Sequence, residues 1–211
     1  MTRVLLCEDD PRYRALMKRT LEARGFAVAA ACGSGEEALA QRASAQPDVA
    51  LVDIELPGID GIETARRLLA ADEELEVLML TSFADEARVF EAMRAGAAGY
   101  LVKANSSERV ADAIITVLGG GAVIDAALGR RFWNLFAASA GRAQHHVQLD
   151  DEERAVLQLV ARGLTNPEAA LALGASQRAV KRRLAAVYRK LGVHGRVEAS
   201  VEALRLGLVE L

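Results

Sequence analysis

The 211-residue chain is poor in several residue types: aromatics make up 4%, and there are four prolines, three histidines, one tryptophan and two cysteines, Cys7 and Cys32. The cysteines show neither CxxC nor zinc-ligand spacing, which argues against a disulfide framework or a structural zinc. Cys7 lies inside an apolar run and reads as a reduced, buried thiol. No basic segment followed by a long apolar stretch opens the sequence, so no signal peptide is expected. The longest weakly polar region, Val110–Gly129, is broken by Asp112, Asp125 and Gly119-Gly120-Gly121 and makes no convincing membrane span. These absences point to a reducing, cytoplasmic setting. Acidic residues are also missing from Leu171 to Val197, a stretch that holds seven basic ones.

What is present supports a packed protein. Hydrophobic residues reach 52% and charged residues 26% of the chain, which argues against disorder. The net charge of −3 divides unevenly. Residues 1–147 carry 16 Lys/Arg against 21 Asp/Glu, and residues 148–211 carry 10 against 8. An acidic front and a basic rear suggest two domains with different partners.

The front alternates strand and helix. Apolar runs at Val4–Cys7, Ala27–Ala31, Val49–Asp53, Val77–Thr81 and Tyr100–Lys103 read as strands. Helical patterns lie at Arg12–Arg24, Gly35–Ala45, Ile62–Ala71, Glu86–Ala95 and Glu108–Leu118. Five βα units in series imply a five-stranded parallel, doubly wound sheet of flavodoxin-like type, with its ligand site beyond the carboxyl ends of the strands. Those ends carry Glu8, Asp9 and Asp10, then Asp53, then Thr81, then Lys103. Carboxylates in such a cluster suit a hard divalent cation, and one of them can serve as a nucleophile. Asp10 reads instead as the cap of the first helix, with Pro11 in its first turn.

Together these residues have one clear use. Mg²⁺ neutralises the carboxylates, Lys103 and Thr81 bind phosphoryl oxygens, and Asp53 attacks to give an aspartyl-phosphate. The motifs Leu5-Leu6-Cys7-Glu8-Asp9-Asp10, Asp53-Ile54-Glu55-Leu56-Pro57-Gly58, Leu80-Thr81-Ser82 and Gly99-Tyr100-Leu101-Val102-Lys103 give residues 1–120 a close resemblance to a response-regulator receiver domain. The resemblance implies Asp53 as phosphoacceptor, and Glu8, Asp9, Asp53 and the Glu55 carbonyl as metal ligands. It implies Thr81 and Tyr100 as the switch pair, Lys103 as the phosphoryl-binding lysine and a sensor histidine kinase as partner. One departure is Glu8, where Asp is commoner. Another is Ala104, where many receivers have proline after a cis bond. A cis Lys103–Ala104 bond is the expectation here, despite a cost of about 2.5–4 kcal/mol without proline.

Residues 121–147 read as a linker with a short helix, on which Phe132, Leu135 and Phe136 share a side; His145 and His146 read as solvated. From 148 onward the pattern is all helical: Asp150–Arg162, Asn166–Leu173, a third helix capped by Ser176 and running to Leu191, and a fourth from Arg196 to Leu206. In the third, Val180, Leu184, Val187 and Leu191 form an apolar stripe opposite Arg178, Arg182 and Arg189, with Lys181 at the edge. A packed back and a basic front fit insertion into the major groove of DNA. Residues 148–211 resemble the LuxR-type helix-turn-helix domain through Asp150–Leu157, Gly163-Leu164-Thr165-Asn166, Val180-Lys181 and Arg189-Lys190-Leu191-Gly192. The two resemblances together imply the NarL/FixJ arrangement, a bacterial regulator that binds promoter DNA as a homodimer. Pro167, Ala169 and Ala179 depart from the pattern. Arg178, Lys181 and Arg182 are the candidates for groove contacts. Arg183, Arg189, Thr165 and Asn166 are the candidates for phosphate contacts.

Two other functions share part of this chemistry. A Mg²⁺-dependent phosphohydrolase would use the same aspartyl-phosphate but would lack a substrate-binding cap and leave the basic helix without a role. A phosphate-independent receiver would act only as an interaction module.

Overall fold

The computed structural model describes residues 1–72, 74–82, 88, 91, 92, 94–104, 107–125 and 147–209. The expected helix around Phe132, and His145 and His146, lie outside them.

The front half builds one parallel sheet from β1 (Arg3–Cys7), β2 (Ala27–Cys32), β3 (Val49–Asp53), β4 (Glu76–Thr81), β5 (Gly99–Val102) and β6 (Val123–Ile124), in the order β2-β1-β3-β4-β5-β6. The sixth strand corrects the five-stranded expectation. Its two residues are too short to show a period, and only pairing with Gly99 and Tyr100 of β5 makes them a strand.

Helices α1 (Pro11–Ala23) and α4 (Ser107–Leu118) cover one face of the sheet, where Met17, Leu21, Val110 and Ile114 pack on Val4, Leu6, Leu51 and Leu80. Helices α2 (Gly35–Ala45) and α3 (Gly61–Ala71) cover the other face together with a segment in which residues 88, 91, 92 and 94 are helical. Alternate residues of each buried strand therefore feed two cores, the pattern expected of a doubly wound sheet. Asp10 caps α1 by accepting the amides of Arg12 and Tyr13, with Pro11 in the first turn, as the sequence implied.

The rear half contains α5 (Asp151–Ala161), α6 (Asn166–Ala172), α7 (Gln177–Leu191) and α8 (Arg196–Arg205). Asp150 and Glu153 form a reciprocal capping box on α5, Ser176 caps α7, and Gly192 ends α7 in the left-handed region. Val180, Leu184 and Val187 are buried as the stripe predicts, and Leu191 is half-buried. No helix among the described residues is long and apolar enough to cross a membrane.

The two halves touch. Val197 of α8 is buried in the same apolar cluster as Tyr100, and Val201 packs against it. A Cβ at Gly96 would lie 2.6 Å from the His194 carbonyl oxygen, so the chain before α8 approaches the receiver backbone as closely as only glycine permits.

Candidate functional site

Sheet order and register build the site. Strand order reverses at β1, flanked by β2 and β3, and ligands of open α/β sheets bind beyond the carboxyl ends of strands at such a point. Cys7 pairs with Val52, so Glu8 and Asp53, one residue further along each strand, come out side by side. Asp53 in turn pairs with Leu80, which places Thr81 beyond it, and Thr81 pairs with Val102 next to Lys103.

Glu8, Asp9 and Asp53 each bring a carboxylate oxygen within 4.8 Å of the others. Glu8 and Asp53 are buried, while Asp9 is exposed. Lys103 Nζ donates to Glu8 Oε1 at 2.8 Å and to Asp53 Oδ2 at 2.9 Å. Asp53 Oδ1 is buried without a hydrogen-bond partner among the described residues. Burial raises the pKa of Asp53 and of Glu8, and hydrogen bonds from Lys103 oppose the rise in both. For Lys103 burial works downward, but the bonds to Glu8 and Asp53 outweigh it and the pKa is raised. The donor set is all oxygen, anionic and incompletely satisfied, which fits a hard divalent cation.

Thr81 is buried at the end of β4, and its carbonyl accepts the Lys103 amide at 2.8 Å. Glu55 lies exposed in the bend after β3. The Lys103–Ala104 bond is trans, since no cis peptide occurs among the described residues, and Lys103 still reaches Asp53. This corrects the cis expectation: the long lysine side chain spans the gap without the strained bond. Tyr100 is 1% exposed and already inward, in the same apolar cluster as Val197 of α8, and its hydroxyl has no hydrogen-bond partner among the described residues.

The sequence reading missed three neighbours of this site. The Tyr13 ring centroid lies 5.2 Å from Lys103 Nζ. Arg14 donates to the carbonyls of Glu8 and Asp9, the latter at 3.2 Å. Arg88 reaches the Ile54 carbonyl at 3.4 Å and Asp60 at 3.3 Å. The first two follow the acidic cluster by one helical turn, a spacing that signals proximity, whereas Arg88 is brought in by tertiary packing alone.

The rear candidates separate into three groups. Arg178, Arg182 and Arg189 are exposed on α7. Lys181 pairs with Glu74 of the front half at 3.2 Å, and Arg183 with Glu152 of α5 at 2.5 Å. Thr165 donates its amide and hydroxyl to Glu168, each at 2.7 Å. Asn166 is only 6% exposed, and its amide donates to the Gly119 carbonyl at 3.0 Å. Asn166 therefore does not share the open face of α7.

Residues 4–115 match the family described as response regulator receiver domain, and residues 147–203 match bacterial regulatory proteins of the luxR family. The chain is 31% identical to the transcriptional regulatory protein LiaR of Bacillus subtilis, over 99% of its own length and 100% of the relative's. It is 32% identical to the DNA-binding transcriptional activator DevR/DosR of Mycobacterium tuberculosis, covering 98% of this chain and 95% of that one. Among solved structures, the response regulator ChrA of a heme-sensing two-component system is 31% identical over 98% of both chains, with a TM-score of 0.53. A LuxR-family response regulator from Aurantimonas sp. SI85-9A1 is 28% identical, covers 65% of this chain and 99% of its own, and has a TM-score of 0.60. The chain belongs to the LuxR family of two-component response regulators, phosphorylation-controlled transcriptional regulators that pair a receiver with a helix-turn-helix DNA-binding domain.

Proposed function

We propose that Asp53 is the phosphoacceptor and that its loading, in the cytoplasm of a bacterial cell, decides when α7 engages promoter DNA. A sensor histidine kinase is the natural donor for such a domain. The arrangement that carries this reading is Lys103 Nζ held between Glu8 and Asp53, at 2.8 and 2.9 Å, beyond the carboxyl ends of β1 and β3.

Glu8, Asp9, Asp53 and the Glu55 carbonyl would hold Mg²⁺, which would supply neutralisation of the negative charge brought by a phosphoryl group. Every other part belongs to the chain. An Asp53 carboxylate oxygen attacks phosphorus in line, the donor's bond to phosphorus breaks, and the leaving group departs with the electron pair. Lys103 exchanges its carboxylate contacts for a phosphoryl oxygen, and the Thr81 hydroxyl binds another. Thr81 follows Leu80, the partner of Asp53, and pairs with Val102, so a shift of Thr81 strains the strand next to Tyr100.

Tyr100 shares one apolar cluster with Val197 of α8, which couples the receiver to the DNA-binding domain. The docked arrangement also occupies Lys181 and Asn166, two candidate DNA contacts. Loading of Asp53 releases this docking, and the freed domain binds DNA as a homodimer. Moving a two-state equilibrium from 1:99 to 99:1 needs about 5.5 kcal/mol of differential stabilisation. A phosphoryl group of charge about −2 facing Lys103 and a divalent cation is of the right order.

The test is mass spectrometry of the chain after incubation with acetyl phosphate and Mg²⁺. One phosphoryl group on the peptide that contains Asp53, absent in Asp53→Asn, is expected. Equal modification of the Asn variant would remove Asp53 from this role.

A further inference from the structure

Lys103 has two sides. One faces Glu8 and Asp53; the ring of Tyr13 lies on another, its centroid 5.2 Å from Nζ. Only 15% of the lysine side chain is exposed.

The first turn of α1 puts Tyr13 there. Asp10 accepts the amide of Tyr13 at 3.2 Å, which fixes its backbone, and Arg14 on the same turn holds the carbonyls of Glu8 and Asp9. The ring is therefore carried by the same short segment as the acidic pair. Its far side packs on the core under α1. The hydroxyl is buried and has no hydrogen-bond partner among the described residues. Burial, with the charge of Glu8 adding to it, raises the hydroxyl's pKa and keeps it neutral. A buried hydroxyl without a partner costs stability, which leaves the aromatic face as the useful part of this side chain.

An ammonium in front of an aromatic face is attracted by the ring's quadrupole, and more so out of water. This attraction does not depend on which anion Lys103 is bonded to. It persists while the lysine changes from carboxylate to phosphoryl oxygen.

We propose that Tyr13 is a positioning residue for Lys103: its ring holds the ammonium at the mouth of the site and keeps water from the contact between Lys103 and the phosphoryl group, setting the lifetime of the aspartyl-phosphate. This rests on Asp53 as the phosphoacceptor. The step that the ring slows is hydrolysis. A water oxygen bonds to phosphorus, the bond from phosphorus to the Asp53 oxygen breaks, and the carboxylate keeps the electron pair. Orthophosphate leaves, and the protons of the water remain with phosphate and solvent.

The experiment compares the full-length wild-type chain with Tyr13→Phe, Tyr13→Leu and Tyr13→Met. Two quantities are read: the half-life of the label from acetyl phosphate and Mg²⁺ after the donor is removed, and the beryllofluoride concentration that half-saturates the site. Leu and Met should shorten the half-life and weaken beryllofluoride binding roughly 3- to 10-fold, the size of a desolvated ammonium–ring contact. Phe should stay within about twofold of wild type, because it keeps the ring. Thermal midpoints without ligand show whether each variant folds, and either apolar variant suffices.

Wild-type values in Leu and Met, or a Phe variant that fails as they do, would overturn the proposal. A wild-type chain that takes no label at Asp53 removes the phosphoacceptor reading and this one with it. A wild-type chain that labels while every Tyr13 variant behaves alike removes this one only.

Discussion

Arg196, in the first turn of α8, donates to the carbonyl oxygen of Gly120, just beyond the end of α4. The same guanidinium reaches Asn166 Oδ1 at 3.3 Å, the Val160 carbonyl at 3.4 Å and the Leu164 carbonyl. One half-buried cation thus fastens the start of α6 and the end of α5 to the receiver. The carbonyl end of α4 carries negative partial charge and meets both Arg196 and the amide end of α6 through Asn166. A basic residue in a first turn runs against a helix's own dipole, and here that placement serves the contact between domains.

Gly120 is the point where this contact is easiest to break without touching the DNA-binding domain. It has φ +75°, and a Cβ there would lie 2.2 Å from the Asn166 side chain. Gly120→Ala should undock the domains and raise DNA affinity in the absence of phosphodonor. Gel-shift titration of the unphosphorylated variant checks this, and an affinity equal to wild type counts against the docking role. Arg196→Ala should also undock them, but with a lower thermal midpoint, because it leaves the Leu164 carbonyl without its donor.

The exposed arginines of α7 should carry the DNA affinity. Arg178→Ala and Arg182→Ala should each cost about 1–3 kcal/mol of specific binding if they reach base edges. Arg189→Ala should instead weaken all sequences alike and lower the salt slope by about one. Arg183→Ala should do less than either, since Glu152 already holds that side chain. Salt-dependent anisotropy titrations on specific and random duplexes separate these outcomes.

Docking should depend on pH through Glu76. Burial pushes this carboxyl from its ordinary 4.5 up to about 7, against the pull of Lys181 and Arg196 and with the help of Glu74. Lys181 of α7 reaches Glu74 at 3.2 Å, which brings the docked domain to the start of β4, where Glu76 lies. Undocking exposes Glu76 and returns it towards its ordinary range. Between pH 4.5 and about 7 the docked form then binds more protons, so docking is favoured by acid and weakens as pH rises through that window. Energy transfer between a dye on each domain should fall from pH 5 to pH 8, and Glu76→Gln should flatten the change. A flat wild-type profile would discard Glu76 as the responsible group.

Mg²⁺ should stabilise the chain through the acidic cluster. A ligand that binds only the folded state adds about 2.7 kcal/mol at 100 times its dissociation constant. The thermal midpoint should therefore rise with Mg²⁺ in wild type and stay constant in Asp9→Ala. Asp9 is exposed, so its loss should leave the midpoint without metal nearly unchanged.

The strand-end site was legible in the sequence because its position is local. Glu8, Asp53, Thr81 and Lys103 each end or follow a short apolar run, and parallel pairing then brings run ends together whatever the loops do. The stripe of Val180, Leu184 and Val187 was legible for the same reason, since a helical period is a local property. β6 was missed because its two residues gain meaning only beside β5. The bond after Lys103 was misread because the expectation leaned on proline-containing relatives, whereas Ala104 favours trans. Nothing in periodicity or spacing foretold that Asn166 would be buried against Gly119 and Gly120, because docking between domains depends on surface shape.

The most direct measurement is promoter-DNA affinity with and without beryllofluoride and Mg²⁺, for wild type and Asp53→Asn side by side. Wild type should tighten several-fold on loading while the Asn variant stays at its unloaded affinity. An equal gain in both chains, or none in wild type, would contradict control of DNA binding by charge stored on Asp53.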